Sequence, residues 1–307
     1  MKKELKAVCY GEILFDVFLE HKKIGGAPLN VATRLKALGG DVSMISAVGE
    51  DKDGEELVNY LNALSINTSG VEVNKNYPTG IVNVILNEKG NASYDIHYPS
   101  AWDKIATSTL NKLIVEQADF LVYGSLSCRD AVSKKTLLDL LAVAKYKIFD
   151  VNLRVPHYTK NNVLDLLNAA DFIKFNDEEL YEICQGLGSE IKSLEQNIKF
   201  IAEKTNTETI CVTLGAHGAI LYYNEKFYRN SGFKVNVVDT VGSGDSFLAS
   251  LIIKLLSGND PQYAINFASA IGAIVAQHEG ANPVIDPSEI KEFLSGFNHE
   301  PSLYETL

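Results

Sequence analysis

Hydrophobic positions along this chain fall into two alternating patterns. Short, continuous apolar runs at 6–10, 42–48, 120–123, 147–151, 172–175 and 209–214 read as buried strands. Between them, apolar residues recur at helical spacing over 29–38, 54–64, 108–117, 133–144, 162–169, 177–184 and 194–204. Strands without a polar face need cover on both sides, so the alternation predicts a mostly parallel sheet flanked by helices. In such an α/β fold, ligands gather beyond the carboxyl ends of the strands. Two stretches break the rule. Residues 13–20 and 80–98 alternate apolar and polar positions, as in Ile81-Val82-Asn83-Val84-Ile85-Leu86 and Tyr94-Asp95-Ile96-His97-Tyr98, with a turn at 87–91 between the latter two. They read as antiparallel strands of a small separate sheet. That sheet, drawn from about 12–24 and 80–100, is expected to form a lid; an extension of the main sheet's edge is the alternative. No repeat or Pro-rich linker divides the 307 residues, so one α/β domain carrying a lid is expected.

Composition narrows the function classes. Hydrophobic content of 46% with 22% charged residues describes a soluble globular protein. No run approaches the roughly 18 apolar residues of a membrane span. The start, Met-Lys-Lys-Glu-Leu-Lys, lacks a secretory core, so a cytoplasmic location is expected. Cys9, Cys128, Cys184 and Cys211 are far apart and read as buried free thiols, and the six histidines lack metal-ligand spacing. A net charge of −11 opposes nucleic-acid binding.

The chemistry concentrates at Asp239-Thr240-Val241-Gly242-Ser243-Gly244-Asp245-Ser246-Phe247, a glycine-rich turn entering an apolar helical run over 247–256. A helix start offers unpaired N–H groups and partial positive charge to an anion, and glycines let a phosphate reach the backbone. An aspartate there can take a proton, and phosphoryl transfer needs both features. A tight turn with an acid on the helix dipole is the competing reading. In Gly25-Gly26-Ala27-Pro28-Leu29-Asn30 a flexible turn meets a helix started by Pro28, placing Asn30 in its first turn to bind hydroxyls. Asp16 interrupts an apolar strand and suits paired sugar hydroxyls. Asn176-Asp177-Glu178-Glu179 reads either as a capping box or as an acidic cluster in which Glu179 holds magnesium through water; Lys174 nearby offers a phosphate contact or is merely a solvated strand end. Thr213-Leu214-Gly215-Ala216-His217-Gly218 is a hairpin turn or a backbone bed for a nucleotide. Asp150-Val151-Asn152-Leu153-Arg154 ends a strand with an acid, an amide and a guanidinium suited to phosphate oxygens, or else with a structural ion pair.

Together and in this order, the motifs resemble those of the ribokinase-like (PfkB) carbohydrate kinases over nearly the whole chain. The resemblance implies the ribokinase-like fold, with Asp245 as catalytic base and the backbone of Gly242, Ser243 and Gly244 as an anion hole. It implies that Asn176 and Glu179 organise magnesium and phosphates, and that Thr213, Gly215 and Gly218 lie beside ATP. The helix 266–272, with Asn266 and Ser269, would floor the adenine pocket, and Asp16, Gly26 and Asn30 would bind the sugar, with Asn152 and Arg154 also on the substrate side. The resemblance also implies a monovalent cation such as K+ beneath the anion hole, with Asp239, Val241 and Gly280 as the positions that would supply its oxygen ligands.

Within the family the signatures are most similar to those of fructokinases. Two positions depart. Ser243 replaces the usual alanine of the anion hole but keeps the backbone N–H, so activity is expected. The lid segment 93–103 lacks the arginine pattern of many fructokinases, which bears on the sugar. The expectation is therefore an ATP- and Mg2+-dependent fructokinase, with 2-keto-3-deoxygluconate, ribose or a nucleoside as alternative acceptors. A noncatalytic sugar- or nucleotide-binding regulator is the rival of another class. A homodimer through the lid is expected, because pairing would protect its exposed strands.

Overall fold

The computed structural model describes residues 4–86 and 92–295, with the side chains of Leu86, Ala92 and Ser93 left aside. The turn expected at 87–91 lies outside the described residues. The main sheet is built from β1 (Lys6–Tyr10), β4 (Asp41–Gly49), β5 (Asn67–Asn74), β8 (Phe120–Gly124), β9 (Lys147–Asp150), β10 (Phe172–Asn176), β11 (Thr209–Thr213), β12 (Ala219–Tyr223) and β13 (Lys226–Asn230). Its order is β13-β12-β11-β10-β9-β8-β1-β4-β5. Pairings from β11 through to β5 are parallel, and β12 and β13 are antiparallel.

The apolar runs are explained by where successive residues go. Ala7 and Cys9 of β1, with Val42, Met44, Phe120 and Val122, enter one core beside Leu29, Leu57, Phe247 and Ala264. Val8 and Tyr10, with Ile45, Leu121, Tyr123 and Phe149, enter a second core beside Leu137, Leu166, Leu180 and Ile198. The central strands β1, β4, β8 and β9 thus bury both faces, which leaves little place for alternating polar residues. Helices α1 (Ala27–Ala37), α2 (Lys52–Ala63), α8 (Ser243–Leu256) and α9 (Pro261–Ala276) contribute to the first core. Helices α3 (Thr109–Gln117), α4 (Ala131–Leu141), α5 (Lys160–Ala169), α6 (Asp177–Gly186) and α7 (Leu194–Thr205) contribute to the second, and α10 (Pro287–Ser295) packs on α9.

The small sheet contains β2 (Leu14–Val17), β3 (Lys22–Gly25), β6 (Gly80–Leu86) and β7 (Ala92–Ile96) in the order β3-β2-β6-β7. Its outer pairings are antiparallel, as expected, but β2 and β6 run parallel. The physical reason is connectivity: β4 and β5 of the main sheet intervene between β3 and β6, so no hairpin joins the central pair. Leu14, Val82 and Ile96 pack with Trp102 and Leu126, seating this sheet on the body. Arg129 reinforces the seat through a buried two-armed ion pair with Asp103, its guanidinium 4.0 Å from the Trp102 ring.

Candidate active site

Helix α8 begins at Ser243, four residues before the apolar run that announced it, because Gly242 serves as N-cap with φ of 75°. A Cβ at Gly242 would fall 2.5 Å from the Ala281 backbone, so both its conformation and its surroundings call for glycine. The Ser243 N–H makes a 3.3 Å bond to the Thr240 carbonyl. Its hydroxyl donates to the Gly272 carbonyl at 2.9 Å, joining α8 to α9. The amides of Gly244 and Asp245 belong to the first turn of α8, just after the Gly242 N-cap, where an anion is favoured.

Asp245 therefore stands in the first helical turn. Its Oδ2 accepts from Asn30 Nδ2 at 2.8 Å, and Asn30 Oδ1 accepts from Asn282 Nδ2 at 2.9 Å. Asn30 is placed by α1, whose N-cap Gly26 has φ of 110° and leaves 2.5 Å between a would-be Cβ and the Glu12 carbonyl. The two sequence signatures, 215 positions apart, are thus joined by one hydrogen bond. Asp16 lies on β2 opposite Lys23 of β3, and its carboxylate occupies the space a side chain at Gly25 would need.

A second polar centre adjoins the first. Lys174 Nζ lies 3.0 Å from Asp150 Oδ1, with both side chains less than one-tenth exposed. It is also 3.5 Å from the position of a Cβ on Gly244, which places the ammonium beside the helix start. The capping box at α6 is real: Asn176 N–H donates to Glu179 Oε2, and Glu179 N–H donates to Asn176 Oδ1, both at 2.8 Å. Glu179 Oε1 also accepts from Leu153 N–H at 2.9 Å. Asp150 Oδ2 is buried and has no hydrogen-bond partner. Asn152 takes a left-handed backbone, φ 40°, just after β9, and Arg154 beyond it is exposed.

Thr213 ends β11, donating to the Phe175 carbonyl, and Gly215 and Gly218 both have positive φ. Any Cβ at Gly218 would collide with Asn230 and Gly232. Asn266 Oδ1 accepts from Asn230 and Gln262, each at 3.0 Å, while the buried Ser269 hydroxyl has no partner. At the cation candidates, Asp239 accepts from the N–H groups of Val241 and Gly280, each at 3.0 Å. Lys23 Nζ, arriving from β3 of the small sheet, is 3.8 Å from the same carboxylate and 2.8 Å from Glu279. The sequence reading assigned no role to Lys23, Glu12, Asn282 or, individually, Asp150. Nothing local marks Lys23, since two adjacent lysines on a short strand look like a solvated edge.

Electrostatics set this site apart. Burial pushes the Asp245 carboxyl up to about 6, helped by Asp150 and opposed by the Asn30 bond and the charges of Lys174 and Arg154. Burial likewise raises Asp16 to about 6, with Arg154 and Lys23 opposing, and Glu12 to about 7. For Lys174, burial pulls downward, but Asp150, Glu179 and Asp245 more than offset it and hold the ammonium above its usual range. Raised carboxyls favour the folded state while protonated, so their stabilisation is full below the unfolded pKa near 4 and is lost as pH rises through 6 to 7. Asp51 and Asp130 act oppositely. Burial would raise them, but hydrogen bonds from Thr79 and Lys104 bring them below the usual value, so their contribution is lost in acid. The ligand-free protein is therefore expected to melt highest near pH 5 and to lose thermal stability toward pH 8. Scanning calorimetry across that range checks this, and a midpoint rising steadily from pH 5 to 8 would contradict it.

Comparison with known proteins agrees with this geometry. Residues 4–287 match the profile described as pfkB family carbohydrate kinase. The chain is 30% identical over 313 residues to probable fructokinase-5 of Arabidopsis thaliana, covering 91% of this chain and 93% of that protein. It superposes with a TM-score of 0.84 on a fructokinase from Xylella fastidiosa with bound ATP, at 22% identity, covering 97% of this chain and all of that one. A double mutant of the Vibrio cholerae O395 fructokinase, bound to fructose, ADP and potassium ion, superposes with a TM-score of 0.82 at 22% identity, covering 96% and 99% of the two chains. Among the described residues no helix is long and apolar enough to cross a membrane.

Proposed function

Because the chain belongs to the pfkB family of carbohydrate kinases and is an ATP-dependent sugar kinase, we propose that its acceptor is fructose and that Asp245 is the base. The observation that carries this reading is the Asn30–Asp245 hydrogen bond at the start of α8. It commits one carboxylate oxygen to the acceptor-side helix and leaves the other for an acceptor hydroxyl. That hydroxyl loses its proton to Asp245 as its oxygen attacks the terminal phosphorus of ATP, and the bond to the ADP oxygen breaks. Gly242, Gly244 and Asp245 N–H groups, with Ser243 as a shared donor, take up charge on the transferred group. Lys174, held by Asp150 beside Gly244, offsets phosphate charge.

Thr213, Gly215 and Gly218 form the nucleotide bed, with Asn266 and Ser269 on its adenine side. Among the described residues no cluster of three acidic, histidine or cysteine side chains forms a metal cage. This suits Mg2+, which keeps its waters and rests largely on nucleotide phosphates. Glu179, whose oxygens already accept backbone N–H groups, and the unpartnered Asp150 Oδ2 would hold it through water. Bound there, the metal would neutralise phosphate charge. Asp239 is occupied by two N–H groups and Lys23, so potassium would rest on backbone oxygens at Val241 and Gly280.

The acceptor side carries Glu12, Asp16 and Asp245 against Arg154 and Lys23. That balance favours a neutral, hydroxyl-rich sugar over an acidic one such as 2-keto-3-deoxygluconate. We place the protein in the cytoplasm as a homodimer paired through the lid. ADP release with Mg2+-ATP should be fastest with fructose among fructose, ribose, 2-keto-3-deoxygluconate, glucose and adenosine. A higher kcat/KM for any other acceptor would overturn the sugar assignment.

A further inference from the structure

Glu12 lies just beyond β1 and is 3% exposed, and its Oε2 has no hydrogen-bond partner. Leaving a buried carboxyl oxygen unbonded is costly, and most such groups are satisfied by something. An apolar side chain would fill the same space without that cost. The surroundings say where the missing partner comes from. The Glu12 carbonyl underlies Gly26, the N-cap of the helix that presents Asn30 to Asp245. Its own backbone N–H donates to the carboxyl, which leaves Oε2 over, and of the charged groups that act on it, Arg154, Asp245 and Arg129, none is joined to it by a hydrogen bond. Arg129 is committed to Asp103 and to the carbonyls of Ile96 and His97, and Asp245 to Asn30. Glu12 thus lies beneath the helix start that presents Asn30 to the proposed base, within electrostatic reach of Asp245 and of Arg129 in the seat of the small sheet. Trp102 Nε1, in that same seat, is also buried without a partner.

Resting on the acceptor pocket proposed above, we infer that Glu12 is a specificity-determining residue whose free oxygen accepts a hydrogen bond from a sugar hydroxyl other than the one phosphorylated. It selects acceptors that carry a hydroxyl at that point and disfavours those that lack one, because Oε2 then stays unpaired.

The test compares the wild type with Glu12→Gln, which preserves shape, and Glu12→Met, which preserves bulk without hydrogen bonding. For each, kcat, the KM for fructose, the KM for ATP and the melting temperature are measured. Both variants should melt no lower than the wild type. Glu12→Met should raise the fructose KM by roughly tenfold or more, the usual effect of losing a bond to a charged group. Glu12→Gln should fall between, with kcat and the ATP KM within about twofold of wild type throughout. An unchanged fructose KM in Glu12→Met, or a fall in melting temperature with all constants shifted together, would assign Glu12 to a water or to the fold and overturn the inference. If the wild type prefers another sugar, the same ratio is read on that sugar, so the acceptor assignment fails while Glu12 stands. If no sugar is turned over and none raises the melting temperature, both readings fall.

Discussion

Replacing Asp245 by asparagine is expected to lower kcat by roughly 10²- to 10⁴-fold while leaving the fold at least as stable as before. The loss follows from chemistry, because asparagine accepts no proton at neutral pH and the acceptor hydroxyl is a poor nucleophile while protonated. The stability follows from the surroundings. Burial and Asp150 already disfavour the Asp245 charge, raising its carboxyl to about 6, so removing the charge relieves a repulsion. The same shift predicts an acid limb. For the wild type, kcat/KM should rise with pH through about 6 and level off above it, and the residual activity of Asp245→Asn should lack that limb. ADP release measured from pH 5 to 8, with melting curves of both proteins, tests the three expectations together. A variant retaining more than a tenth of wild-type kcat would remove Asp245 from the base role.

The second large effect lies at the buried pair of Lys174 and Asp150. Lys174→Met should destabilise the protein by about 3–5 kcal/mol, because it strands the Asp150 carboxylate in the interior beside Glu179 and Asp245. Activity should fall as well, since the ammonium beside Gly244 is lost. These consequences separate in the double variant Lys174→Met/Asp150→Asn. With both charges gone, most of the lost stability should return, whereas phosphoryl transfer should stay depressed. Urea unfolding of the two single variants and the double, read as a cycle, gives the coupling directly. A double variant no more stable than Lys174→Met would mean that side-chain packing, not charge, accounts for the loss.

Much of this architecture was legible because burial on two faces leaves a mark. The strands 6–10, 120–124 and 172–176 are apolar but for Lys6, Lys174 and Asn176, and each is legible nearly to its last residue. The edge strand β5 escaped because Asn67-Thr68-Ser69-Gly70-Val71-Glu72-Val73-Asn74 buries only Gly70. Strand β13 buries only Asn230 and reads as a polar loop. The start of α8 was hidden for a different reason. Ser-Gly-Asp has no apolar periodicity, and a glycine N-cap gives no side-chain signal, yet this early start is what puts Asp245 in the first turn. At the site, the glycine signatures and their carboxylates were visible as local strings. Their union was not, because Asn282, Asn30 and Asp245 meet through bonds spanning 252 and 215 positions. The antiparallel lid was inferred from alternation alone, which says that a strand has two unlike faces but not which way its neighbour runs.

Lys23 ties the small sheet to the main body by charge. It spans from β3 to Asp239 and Glu279 and stands across from Asp16 in the β2–β3 register. Because such partly exposed pairs are screened by salt, this tie depends on ionic strength, whereas the apolar seat on Trp102 and Leu126 does not.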